Sequence, residues 1–396
     1  MTKFFPRSPQ MSAREAPPRF EADQEKAGSR MTTIPLRLAH SDEDYRMLGL
    51  QPGKVSASEG RMHVDGSPGS FEWWFMKAEL AECTVALGII TAPAFMGELG
   101  LLPCAQLLLT FPDGTVVEKS EQLTAEDFES FSNDVCSIGA GKSRFQRVND
   151  RCYCAHFEAD GVIADIDLTP SAPDWRPETG HIIFGENDEH YFGWAIPVPT
   201  GDIHVVIRGE GLNIDSHGDG YIDRGWMNQP LGQFLHNWNW FEGKFDDYTV
   251  LAVHMTFEEE YGYPDMPFFM VYRGAELLAG GPGTQNAHHI TYTVNGTHVD
   301  AVTAKPVPDG FAFEYRDGTT RLTLSVRNET PTQKVNWDDL LPGSEEDKSR
   351  SSVHGGAVLR FTGPAELTHY EHDQVVASVR VPTGPFYELM YMGTSR

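Results

Sequence analysis

The stretch GDGYIDRGWMNQPLGQFLHNWNWFEGKF, residues 218–245, concentrates groups able to do chemistry on a small molecule. It holds three of the chain's eight tryptophans, Trp226, Trp238 and Trp240, beside Tyr221, Asp223, Arg224 and His236. A phenol, a carboxylate and a guanidinium offer a hydrogen-bond donor, a proton carrier and a fixed cation. The indoles add broad apolar faces, each with one N–H that wants a partner. Small-molecule pockets are mainly apolar and aromatic with a few placed polar groups, and this stretch has that makeup. The plainer reading is an aromatic core at a domain junction with Asp223 and Arg224 as a structural pair; the two readings are compatible. Asp223 and Arg224 face opposite ways on a regular strand, so both serve one site only if Gly218, Gly220 and Gly225 distort the segment.

A second cluster, SFEWWFMKAEL at residues 70–80, sets Glu72 beside Trp73 and Trp74. On a strand Glu72 and Trp74 share one face and Trp73 takes the other. An acid against an apolar aromatic wall has its pKa raised and becomes a proton donor. A surface or hydrogen-bonding role for Glu72 is the plainer alternative. Further candidates are scattered: His254 in VLAVHMTF, Trp337 in KVNWDD, and Tyr387, Glu388 and Tyr391 in PFYELMYMG. A lone histidine in an apolar strand is more often a core residue than a base. Alternation places the thiols of Cys152-Tyr-Cys154 on one face by default, so a metal pair is the less favoured reading. HNWNWFEG lacks the spacing of a zinc site, and His288-His289 lacks nearby carboxylates. There is no Gly-x-Ser-x-Gly elbow, phosphate loop or dinucleotide fingerprint.

The elements that must position these groups read as strands. Asp113-Gly114, Asn295-Gly296, Asp309-Gly310 and Asp317-Gly318 are hairpin signals between apolar or alternating runs. Period two puts Leu322, Leu324 and Val326 on one face of RLTLSV, and Ala164, Ile166 and Leu168 on one face of ADIDL. TVALGII and QLLLTF are more continuously apolar, as for strands buried on both sides. LTAEDFESF, residues 123–131, predicts a short helix capped by Thr124. Many short strands with Gly and Pro turns mean barrels or sandwiches, and 396 residues are enough for two. The expected division is a disordered leader at 1–40, a β domain at 41–235 and a second at 236–396. Met31 is a second candidate start, and SEEDKSRSS at 344–352 reads as a mobile loop.

The formal charge of −26 argues against nucleic acid or an anionic membrane as partner. No apolar run reaches the length that spans a bilayer, and the first thirty residues carry no secretory signal. The five cysteines, an odd number without framework spacing, fit a reducing, cytoplasmic setting. Composition leaves the oligomeric state open.

FEWWF, GDGYIDRGWMNQPL and FYELMYMG, in that order and at these separations, resemble the lipocalin-like carotenoid 1,2-hydratase family, also called hydroxyneurosporene synthase-like. That family includes natural-product Diels–Alderases. The resemblance covers about residues 60–396. It implies two calycin-like β-barrel or β-sandwich domains with a hydrophobic pocket at or near their interface, a hydrophobic small-molecule substrate, and no metal or organic cofactor. The family's middle motif runs Tyr-His-Asp-His-Asn-Trp-Gly. Here Tyr221, Asp223 and Trp226 are kept, while Ile222 and Arg224 replace the histidines. Arginine's pKa is too high for a general acid, yet it is a permanent cationic donor. The resemblance therefore implies a cyclase or pericyclase on a polyene-like intermediate, with Arg224 on a carbonyl and Asp223 orienting it, and Glu72 and Tyr221 as second-tier groups. Trp74, Trp226, Trp238, Trp240, His254 and Trp337 are the expected substrate contacts. The alternatives are a hydratase or isomerase working by proton transfer, and a non-catalytic carrier of a lipophilic ligand.

Overall fold

Residues alternating between buried and exposed build a chain of antiparallel strands in the computed structural model. The structure describes residues 33–92, 100–130, 136–149, 151–282, 289–341, 344, 348, 349, 351, 353–382 and 386–392. The expected leader lies mostly outside them, with Met31 and His288, as does part of the SEEDKSRSS insert.

The first sheet is formed by β1 (Leu36–Leu38), β2 (Phe71–Glu79), β3 (Thr84–Ile90), β4 (Cys104–Thr110), β5 (Val116–Gln122), β6 (Phe128–Ser130) and β7 (Ser137–Ala140). It continues with β8 (Ser143–Asn149), β9 (Cys152–Ala159), β10 (Val162–Pro170), β11 (His181–Phe184), β12 (His190–Gly209) and β13 (Leu212–Met227). Its main path runs β5-β4-β3-β2-β13-β12-β10-β9-β8-β7-β6 and curls into a half-barrel around an apolar core. That core takes one face of each strand: Trp74, Met76 and Ala78 from β2, Val85, Leu87 and Ile89 from β3, Ala164, Ile166 and Leu168 from β10.

The second half is a sandwich. Its larger sheet orders β17 (Glu276–Pro282), β16 (Asp265–Arg273), β15 (Tyr248–Phe257), β14 (Leu235–Phe245), β27 (Phe386–Tyr391), β24 (Ala357–Thr362) and β23 (Thr330–Asn336). The smaller orders β18 (His289–Val294), β21 (Gly310–Asp317), β22 (Thr320–Arg327), β25 (Ala365–Glu371) and β26 (Gln374–Val381). Phe241, Phe269, Phe311, Phe313, Leu322, Leu324 and Val326 fill the space between them. The other face of the larger sheet packs on the outside of the half-barrel through a third aromatic layer that includes Trp194, Tyr221, Phe268 and Met270. The all-β class is as expected, with the pocket between the two halves.

Local expectations divide by cause. Asp113-Gly114 and Asp317-Gly318 close the β4–β5 and β21–β22 hairpins. Asn295-Gly296 and Asp309-Gly310 do not. They sit side by side where β18 pairs with β21, and the ribbon of β19 (Thr297–Val299) and β20 (Pro306–Pro308) inserts between them. The helix expected at 123–131 is a single 3-10 turn, Ala125–Asp127, capped by Thr124 and Asp127, after which β6 begins at Phe128. An unexpected helix, Asp42–Leu48, is capped by Ser41 and Asp44 and stopped by Gly49 at φ 68°. β3 and β4 carry apolar residues on both faces yet are buried on one: Thr84, Ala86, Gly88 and Ile90 look outward, onto the pocket.

Candidate functional site

A cleft of about 380 Å³ lies between the outside of the half-barrel and the larger sheet of the sandwich. The floor is the outward face of β2, β3 and β4: Trp73, Phe75, Ala86, Gly88, Ile90 and Leu108 among them. The roof carries Trp238 and Trp240 from β14, Val253 and Met255 from β15, and Met390 from β27. Trp337 closes one side, its Nε1 donating to Tyr391 O at 2.9 Å. Trp73 and Trp238 meet edge to face across the cleft, with ring centroids 6.4 Å apart.

Asp223 is the carboxylate of the floor. Its Oδ1 accepts from Trp73 Nε1 and its Oδ2 from the Tyr221 hydroxyl, both at 2.9 Å. Burial pushes its carboxyl up to about 6, against the Trp73 and Tyr221 hydrogen bonds, which favour the carboxylate. Asp223 is thus a buried acid titrating near neutrality on an apolar wall, with both oxygens fixed. Glu388 is a second carboxylate, on the opposite wall. Arg360 grips it through Nε at 2.9 Å and Nη2 at 2.8 Å, and Trp238 Nε1 donates to it at 3.2 Å. Each carboxylate therefore caps one of the two indoles that touch across the cleft.

Lys77 stands at the polar end, in ion pairs with Glu242 and with Glu79 at 2.8 Å. Burial alone lowers its pKa, but the two glutamates outweigh burial and hold the ammonium charged. A smaller chamber of about 190 Å³, lined by Tyr221, Glu242, Lys244 and Thr249, begins on its far side.

Arg224 is not in the cleft. β13 runs in unbroken register against β2 from Asp219↔Glu79 to Met227↔Phe71, so Asp223 and Arg224 take opposite faces. The glycines do not distort the strand; a Cβ on Gly225 would meet Trp73 Cη2 at 2.1 Å, so this glycine lets the cleft tryptophan lie flat on the sheet. Arg224 points into the half-barrel, 1% exposed, ion-paired with Glu72 and donating to Arg61 O at 2.7 Å. Its guanidinium lies 5.4 Å from the Trp74 ring and 5.0 Å from that of Trp226. Glu72, fully buried, also accepts from the His63 and Val64 backbone N–H groups at 2.7 and 3.2 Å. Burial pushes the Glu72 carboxyl up to about 7, while Arg224 and those N–H groups oppose the rise. Trp226 stacks on His63 at 4.3 Å and is likewise behind the sheet. Trp74 borders the cleft, but its ring packs behind the sheet on Arg224 and Phe128.

His254 also misses the cleft. Its neighbours Val253 and Met255 face in, so alternation turns His254 away, onto Tyr292 at 4.1 Å and Asp265 at 3.4 Å. The expected contacts at the cleft are Trp238, Trp240 and Trp337, with Trp74 at its border, Asp223 among the lining groups and Tyr221 supporting it. The expectations passed over Trp73, Phe75 and Lys77, although the stripe Phe71-x-Trp73-x-Phe75 is visible in the sequence. Arg360 carried no local signal, because its partner Glu388 is 28 residues away.

No protein-family model matches this chain, and no curated protein is detectably similar in sequence. Solved structures are similar. An AttH candidate from Nitrosomonas europaea superposes with a TM-score of 0.56 at 16% identity, covering 87% of this chain and 99% of that one. CghA, solved with Sch210972, gives 0.56 at 14% identity, over 86% and 95% of the two chains. Kievitone hydratase from Nectria haematococca gives 0.50 at 14% identity, over 86% and 96%. The chain shares the lipocalin-like fold of these proteins, the fold that its motifs predicted.

Proposed function

We propose that this protein is an enzyme that holds a hydrophobic, unsaturated small molecule in the cleft and transfers a proton to it from Asp223. The observation that carries this reading is Asp223 itself, a buried carboxyl at about 6 on a wall of aromatic rings. A protonated carboxyl hands its proton to an alkene carbon, leaving a cation and a carboxylate. The faces of Trp73, Trp238 and Trp240 stabilise such a cation. Water then adds to the cation and gives up a proton, for which Glu388, held by Arg360, is the nearby base. Loss of a proton to the Asp223 carboxylate or to Glu388 instead gives an isomer. Attack by a second alkene closes a ring and moves the cation along the chain, and the same proton loss then neutralises it. Proton balance is restored in each case when Asp223 is reprotonated.

A second reading is pericyclic cyclisation, favoured by the shape of the cleft rather than by its acid. Aromatic walls on both sides suit a flexible chain folded into a reactive conformer, an entropic gain that reaches about 7–11 kcal/mol in favourable cases. Protonated Asp223 would then hydrogen-bond a carbonyl, the task first expected of Arg224. The carrier reading draws on the fold alone.

Kievitone, named by one structural neighbour, and linear conjugated polyenes with a terminal carbonyl are suitable first probes. Each is incubated with the protein in D₂O containing H₂¹⁸O and the product is weighed. Hydration adds both deuterium and ¹⁸O, isomerisation or proton-initiated cyclisation adds deuterium only, and a pericyclic step adds neither. A product formed without deuterium removes the proton-transfer reading. Tight binding with no product removes both catalytic readings.

A further inference from the structure

The outer face of the half-barrel, away from the cleft, carries a different set of groups. Alternation on β9 sends Tyr153, Ala155 and Phe157 to the core and leaves Cys152, Cys154 and His156 outside. β10 likewise buries Ala164, Ile166 and Leu168 and turns Asp165 and Asp167 outward. Register then aligns ligand-type residues across four neighbouring strands: Cys154 with Asp167, Asp167 with His204, and His204 with His217. Cys154 Sγ lies 2.9 Å from Asp167 Oδ1 and 3.6 Å from Cys152 Sγ. The two sulfurs and the carboxylate oxygen all fall within 4.8 Å of one another. His204 is engaged elsewhere, by Asp215 at 2.9 Å and by stacking on His217 at 4.3 Å.

We propose that Cys152, Cys154 and Asp167 form a surface site for a thiophilic divalent cation, Zn²⁺ being the ion whose bond lengths fit. Two thiolates at about 2.3 Å from one tetrahedral zinc stand about 3.8 Å apart. The observed sulfur separation of 3.6 Å is already near that value. The sulfur-to-carboxylate distance at such an ion is about 3.5 Å, so Asp167 needs to back away by roughly half an ångström. It is exposed and free to do so. A disulfide fits less well. Residues two apart on an extended strand have Cα atoms about 6.6 Å apart, near the upper end of disulfide geometry. Water takes the fourth position, and both thiols release their protons to solvent as the metal binds. The alternation of β9 alone accounts for the thiols sharing a face; the carboxylate delivered by β10 at the same height is the added feature.

The test uses the full-length protein, reduced and metal-free, titrated with Zn²⁺ against a chromophoric chelator and separately with Co²⁺. One equivalent should bind, with a thiolate-to-cobalt charge-transfer band, and Zn²⁺ should slow alkylation of Cys152 and Cys154. Cys152→Ser and Cys154→Ser should each weaken binding by more than about tenfold, the lower end of the cost of losing even an outer partner of a metal. Asp167→Asn should weaken it less. The three side chains face outward, and circular dichroism checks that the variants fold. Binding that survives the double serine variant overturns the proposal, as does a reduced wild-type protein showing neither band nor alkylation protection. The readout is independent of the cleft, so its failure is separate from any failure of the proton-transfer reading.

Discussion

Asp223→Asn keeps the shape of the cleft acid and removes its transferable proton. Turnover should fall by about 10²–10⁴, the usual contribution of a positioned general acid, with little change in KM. Wild-type turnover should also decline as pH rises through about 6, because the donor is the protonated form. Stability follows the same group with a defined sign. The folded-state pKa lies above the ordinary 3.8, so between these values the folded protein binds a proton that the unfolded chain releases. Asp223 therefore favours the folded state at low pH, and that contribution is lost as pH climbs through 6. Thermal melts from pH 4 to 8 should show a shallower decline in the Asn variant. Arg224→Met tests a different role: it strands buried Glu72 and should cost about 3–5 kcal/mol in denaturant unfolding. The double variant with Glu72→Gln should recover part of that loss. The sequence marks Asp223, Arg224 and Glu72 as chemically interesting but leaves open which side of the strand meets a ligand. Period two separates Asp223 from Arg224 without saying which of them faces a ligand, and one site for both requires a distortion at the glycines that the unbroken β13–β2 register does not show.

At the scale of the element, β13 and β2 work as a matched pair. Gly225 is the flat place on which the Trp73 ring lies, and Trp73 in turn holds Asp223. Gly225→Ala should therefore push Trp73 off the floor at a cost of about 1–3 kcal/mol, typical of overpacking. Losing the Trp73 hydrogen bond removes a group that favours the carboxylate, so the midpoint of the pH–rate profile should move upward. A profile unchanged in midpoint would mean that Trp73 does not hold Asp223. The strands themselves were legible from alternation, as in RLTLSV and ADIDL, whose expected inward residues are all buried. The link from Asn295-Gly296 to Asp309-Gly310 was not, because a turn dipeptide specifies a reversal and not which strands pair on either side. LTAEDFESF kept its cap but lost its helix, since Phe128–Ser130 gains sheet hydrogen bonds with β7.

At the scale of the molecule, the cleft exists because two sheets meet across surfaces that do not fill the space between them. Gly88 marks the deepest economy of side chain on the floor: a Cβ there would have Trp74 O at 3.9 Å as its nearest neighbour. Gly88→Phe should thus project into the cleft without disturbing backbone. Any ligand that the cleft accepts should bind at least about tenfold more weakly, with Tm unchanged. A loss of Tm matching the loss of binding would mean the position is structural. All-β architecture was readable from turn spacing and alternation, whereas the cleft floor was not, because β3 and β4 carry apolar residues on both faces and such strands read as fully buried. That two-sidedness has an evolutionary consequence. In β3, Val85, Leu87 and Ile89 hold the half-barrel together, while Thr84, Ala86, Gly88 and Ile90 line the cleft. Inheritance can therefore rewrite every second letter of the strand to suit a new ligand and leave the letters between them, and with them the fold, untouched.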